Sequence, residues 1–156
     1  MIQVLIRYNI IILTIVLLLF SCRENDPKRI NAEIDSGIQD FIQKDSIGVL
    51  LSTDKSEISV ADHLPLTLTA TLGENDTIKW PDLGQKLEEF RVVDIQTSQP
   101  ELVGVDKKKV VRLIILEPFL PGEYVIPAMR IGIEKNVKGR KKIVELITNK
   151  HSIPVL

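Results

Sequence analysis

The chain has 156 residues, one domain's worth on the usual scale of roughly 100–200 residues, and 44% of it is hydrophobic against 26% charged, which suits a folded protein. Its 20 basic and 21 acidic side chains leave a net charge of -1, without the basic excess of a nucleic-acid binder. With one cysteine and two histidines, the chain can build neither an internal disulfide nor a four-ligand Cys/His zinc site.

Sixteen of the first 21 residues are apolar. The amino terminus and Arg7 supply positive charge, and residues 10–20 then read IIILTIVLLLF, interrupted only by Thr14. Eleven residues of helix span about 16 Å, short of the roughly 20 residues that cross a bilayer. A positive start, an apolar stretch of this length and a small residue before the cut make a secretory signal. The small residue is Ser21, and the next is Cys22, the only cysteine. Leu19-Phe20-Ser21-Cys22 resembles the lipobox of bacterial lipoproteins, with Phe20 larger than the residue usual at that place. The resemblance implies cleavage between Ser21 and Cys22 and acylation of Cys22, giving a lipid-anchored protein of the bacterial cell envelope. In enteric-type sorting an Asp after the cysteine favours the inner membrane; here Arg23 stands there, which points to the outer membrane. Two other readings compete: a plain signal peptide, and an uncleaved anchor helix in which Arg7 lies at a cost within the span. The mature chain would carry 19 basic and 21 acidic residues, and several acyl chains would hold it on the membrane.

Residues 22–46 read as a polar tether. Ile30, Ile34, Ile38, Phe41 and Ile42 recur at helical spacing, with Asp26-Pro27 as cap and first residue of a short helix. Ile30, Ala32 and Ile34 also alternate as a strand would, and Gly37 interrupts a helix. From residue 47 the period becomes two. Leu64, Leu66, Leu68, Ala70 and Leu72 alternate with Pro65 and three threonines, which predicts a half-buried strand. Further strands are expected over 90–95, 102–105, 110–116, 124–126, 130–134 and 142–148. Turn residues separate them at 73–76, 121–122, 136–139 and 149–150. The expected organisation is therefore a signal peptide (1–21), a tether (22–46) and an all-β antiparallel sandwich (47–156).

The stretch from Leu116 to Tyr124, LEPFLPGEY, resembles the corner of immunoglobulin-like domains, where a Gly-x-Tyr follows a turn and the Tyr hydroxyl bonds upstream backbone. Pro121-Gly122 suits the middle of a type II turn, since Gly accepts positive φ. Tyr124, Gly122 and Pro121 are thus the expected structural corner, with an ordinary hairpin bearing a surface tyrosine as the alternative. A broader resemblance rests on LTLTAT, on IKWPDL at 78–83, on FRVV at 90–93, and above all on LEPFLPGEYVIPAMRIGI. These look like one module of the BatD-type oxygen-tolerance proteins. The resemblance implies an immunoglobulin-like module outside the inner membrane that assembles with von Willebrand-type membrane proteins, and it carries over no catalytic residues. Members of that family usually have several modules and end in a transmembrane helix, whereas this chain shows one module and a lipid signal at the other end.

No G-x-S-x-G elbow, H-E-x-x-H helix or Gly-rich phosphate loop occurs, and Cys22 is consumed by processing. His63 and His151 read as solvated loop residues, and the acidic pairs Glu88-Glu89 and Glu74/Asp76 as ordinary surface charge. The basic runs 107–109 and 138–142 fall at expected turns. They either attract anionic lipid or an acidic partner, or keep strand ends from pairing with other sheets; the second reading is preferred. Trp80 can stack on a sugar, but core-edge packing is the simpler role. The sequence therefore predicts a non-catalytic protein–protein interaction module with no cofactor or metal. A structural subunit of an envelope appendage is the alternative, and an enzyme or enzyme accessory comes last.

Overall fold

A computed structural model describes residues 37–156. Ser21, Cys22 and the rest of the signal and early tether lie outside the described residues. Twelve strands follow: β1 (Gln39–Lys44), β2 (Ile47–Ser52), β3 (Leu64–Gly73), β4 (Thr77–Lys79), β5 (Lys86–Leu87), β6 (Phe90–Thr97), β7 (Glu101–Leu102), β8 (Lys107–Glu117), β9 (Gly122–Ile126), β10 (Arg130–Val137), β11 (Arg140–Ile147) and β12 (His151–Val155). All strand pairings are antiparallel apart from one parallel bridge, Ile58 to Val155.

The larger sheet has the order β1-β2-β3-β8-β6-β5, with β7 also on β8. The facing layer has β11-β10-β4, and β12-β9 continues it. Between the two ladders of that layer, Thr148 N–H donates to the Met129 carbonyl (3.0 Å) and Met129 N–H to Thr148 Oγ1 (2.8 Å). These bonds join β9–β10 and β11–β12 into one long bent hairpin. Strand order β2-β3-β8-β6 opposite β4-β10-β11 matches the ABED and CFG sheets of an immunoglobulin sandwich, with β1 added outside β2.

The core follows from the period-two pattern. Leu64, Leu66, Leu68, Ala70 and Leu72 are buried, while Pro65, Thr67, Thr69 and Thr71 face outward. Opposite them, Ile131 and Ile133 of β10, Val144 and Leu146 of β11 and Ile126 of β9 close the interior. Burying each such side chain fully is worth roughly 1.5–3 kcal/mol, so β3 alone makes a large contribution.

Three expectations change in detail. The sandwich begins before residue 47: β1 pairs along its whole length with β2, from Gln39 opposite Ser52 to Lys44 opposite Ile47. Phe41 and Ile42, read as part of a helical face, therefore belong to a strand. The backbone of Gly37 packs directly on Thr53 and Asp54, leaving no room there for a side chain. Residues 37–46, read as part of the tether, therefore belong to the sandwich. Second, the strand expected over 102–105 stops at Leu102, because Gly104 and Asp106 take positive φ (68° and 57°) in a turn. Third, Lys107–Lys109 open strand β8 and do not form the turn themselves. The other basic run does cross a turn, where Lys138 and Gly139 both have positive φ (52° and 77°), as a two-residue type I′ hairpin requires.

The corner is held by Tyr124. Its ring packs against Phe90 (centroids 4.7 Å apart, 49° tilt), it is only 6% exposed, and its hydroxyl accepts bonds from the N–H groups of Phe119 (3.0 Å) and Leu120 (3.1 Å). Gly122 has φ 154°, not the roughly 80° of a type II turn. The chain bends over 119–121 without that turn, and the tyrosine supplies the closure. Tyr124→Phe is expected to cost about 0.5–1.5 kcal/mol, the net value of a typical hydrogen bond. Urea unfolding should show a lower midpoint with an unchanged slope.

Candidate functional site

The registers sort the turns onto two ends of the sandwich. Gly73 lies opposite Lys107, Glu74 N–H bonds the Asp106 carbonyl (3.0 Å), and Lys135 Nζ bonds Ser46 Oγ (3.5 Å). Turns 45–46, 74–76, 103–106 and 138–139 therefore share one end. Gly37, by contrast, comes in beside Thr53–Asp54, toward the Glu117 end of β8.

On the end away from Gly37, the β7–β8 turn carries an apolar tip. Leu102 is 69% exposed and Val105 85%, with Val103 beside them. The tip is firmly mounted: Val103 N–H bonds the Lys107 carbonyl (2.9 Å), Lys108 Nζ bonds the Glu74 carbonyl (2.7 Å), and Lys109 pairs with Glu101 (2.9 Å). The three side chains form a small apolar patch held in water on a braced turn.

Beside it, a groove of about 290 Å³ runs between β4 and the β6–β7 connection, lined by Thr77, Trp80, Thr97, Ser98 and Lys108 among others. Trp80 is half-buried against the core, and the Arg112 guanidinium lies 5.8 Å from its ring centroid. Arg112 occupies a core-facing register position between Val110 and Ile114, opposite Leu68. Burial pushes its guanidinium below the ordinary value, partly offset by Asp82. Its Nε is buried without a hydrogen-bond partner. The guanidinium thus lies over the Trp80 ring at cation–π distance, with the Asp82 carboxylate favouring its charge.

The histidines separate. His63 is exposed, 3.7 Å from Glu117, a carboxylate that also pairs with Arg91. His151 differs from the loop residue expected: it opens β12, and its Nε2 is buried 3.5 Å from Asp40 Oδ2. Asp40, buried in β1, accepts bonds from Asn149 N–H (2.6 Å) and Nδ2 (2.8 Å). This Asp40–Asn149–His151 cluster ties β1 to the bend between β11 and β12 across 109 residues of sequence. Sequence reasoning missed it, because Asp40 sat in a segment taken for tether; the turn residues Asn149-Lys150, after the last expected strand, were the only local signal.

Glu88 and Glu89 turn the chain between β5 and β6, and with Glu123 and Lys150 they line a recess of about 290 Å³ at the end near Gly37. Glu74 and Asp76 stay in their turn, where Asp76 Oδ2 accepts the Gly73 N–H (3.1 Å). Among the described residues, no group of three or more His, Cys, Asp or Glu side chains is arranged to hold a metal ion. Among those residues, too, no helix is long and apolar enough to cross a membrane.

Comparison with family models, with curated proteins and with solved structures gave no match.

Proposed function

We propose that the chain is an envelope lipoprotein, acylated at Cys22, whose sandwich acts by contact alone on another envelope protein, in an assembly of the BatD type. The observation that carries this reading is the braced apolar tip of Leu102, Val103 and Val105, on the opposite end from the point where the tether joins. An anchor at one end and a contact surface at the other suit a module that reaches outward from a bilayer. Residues 23–36 give it up to about 50 Å of reach.

Leu102→Asp and Val105→Asp in the full-length protein, purified from detergent-solubilised membranes, test the reading. Both positions are exposed, so the fold should persist while co-purification of the partner falls about tenfold or more; removing an apolar anchor at the centre of an interface commonly has an effect of this size. Unchanged co-purification would remove the tip from the interface. Robust turnover of a small substrate by the purified protein would overturn the contact-only account.

A further inference from the structure

The facing layer ends in β11 (Arg140–Ile147). Among the described residues it pairs with β10 alone; β1 runs close beside it but makes no strand pairing with its outer edge. Every second residue of β11 turns its N–H and C=O to that outer side, a template for another strand. On the solvent face of β11, Ile143 is 55% and Ile147 48% exposed, with Lys141 and Glu145 on the same face. The three basic residues Arg140, Lys141 and Lys142 work against most pairings by repulsion.

One pairing escapes this. Placing β11 antiparallel to β11 of a second copy, with Ile143 opposite Ile143, sets Lys141 opposite Glu145 twice, once on each side of the two-fold axis. Shifting by two residues one way puts Lys142 opposite Lys142; the other way leaves Lys141 facing Ile147. An odd shift turns the solvent face of one strand to the core side of the other.

The matching register also completes a line of alternating charge. Within one copy, Glu134 takes bonds from Lys79 (3.2 Å) and Lys141 (2.7 Å), which hold its carboxyl below the usual range and raise Lys141. Arg130 pairs with Glu145 (3.5 Å). Across the axis the order becomes lysine, glutamate, lysine, glutamate, arginine, with no like charges adjacent.

We propose that β11 is a self-recognition edge: two copies join Arg140–Leu146 in this register, continuing the β4-β10-β11 sheet into a second copy. The contact is isologous and closes as a dimer. It does not depend on acylation. In such a pair the two Gly37 ends, and with them the two Leu102–Val105 tips, point in opposite directions, so one tip of an anchored pair faces away from the bilayer.

Sedimentation of the full-length protein in detergent tests this by charge exchange. The wild type should be dimeric. Lys141→Glu or Glu145→Lys alone should weaken association by about tenfold or more, since two opposite-charge pairs become two repulsions. The double variant, which restores opposite charges across the axis but not the internal pairs with Glu134 and Arg130, should recover the dimer. Ile143→Lys should give monomers with an unchanged circular dichroism spectrum. A monomer at all concentrations, an open-ended series of oligomers, or a dimer indifferent to these changes would overturn the proposal.

Discussion

Cys22→Ala is expected to abolish labelling by a palmitate analogue and to eliminate the membrane-bound form of mature size. Acyl chains contribute about 0.8 kcal/mol per buried methylene; one chain binds reversibly, whereas several anchor stably. Residues 10–20 alone are too short to replace them, at about 16 Å of helix against a hydrocarbon core of about 30 Å. Wild-type protein that takes no label, and runs at the same size with or without the substitution, would favour the uncleaved anchor helix. Arg7 would then have to reach the interface from within a span, an arrangement that adds a cost and serves no evident purpose.

The second large effect concerns the core. Phe90→Ala should destabilise the domain by about 3–5 kcal/mol, the range for removing a buried aromatic ring. Phe90 is fully buried, the bulkiest side chain in that state, and its ring is the one against which Tyr124 is tilted. The cavity would thus open beneath the corner at 119–124 and loosen two features together. Typical domains have only about 5–15 kcal/mol of stability, so the variant should unfold at a much lower urea concentration. A loss under about 1 kcal/mol would mean that the site refills, or that Phe90 is not in the packed interior.

The parts of the fold that were legible in the sequence are those where local pattern and tertiary role agree. The alternation of Leu64 to Leu72 against threonine could only suit a strand with one face in the core, and β3 is that strand. The Gly-x-Tyr at 122–124 named the corner, because a tyrosine there has a buried ring and a hydroxyl within reach of the preceding backbone. Strand β1 was not legible for the opposite reason. Its most buried residue is Asp40, between the core-packed Ile38 and Ile42; Asp40 bonds Asn149, 109 residues away, and a polar inward position breaks the apolar alternation. The end of β7 depended on the positive φ of Gly104 and Asp106, in a turn that the expected strand over 102–105 ran into. Likewise the basic run 138–142 gave no sign that Lys141 bonds Glu134 while Ile143 faces solvent; that follows from the register of β10 with β11.

The same distinction applies to function. The resemblance of residues 19–22 to a lipobox is local and is read from the sequence alone. The apolar tip at Leu102–Val105 emerges only when the strands place it away from Gly37 and brace it with Glu74 and Lys108.

Photo-crosslinking in intact cells tests the central claim most directly. A photoreactive residue at position 105 should give an adduct with one envelope protein. The same probe at position 57, exposed at the end where the tether joins, should give no adduct with that protein. Absence of any protein adduct from position 105, or adducts from position 57 alone, would contradict a module that acts by contact through its outer end.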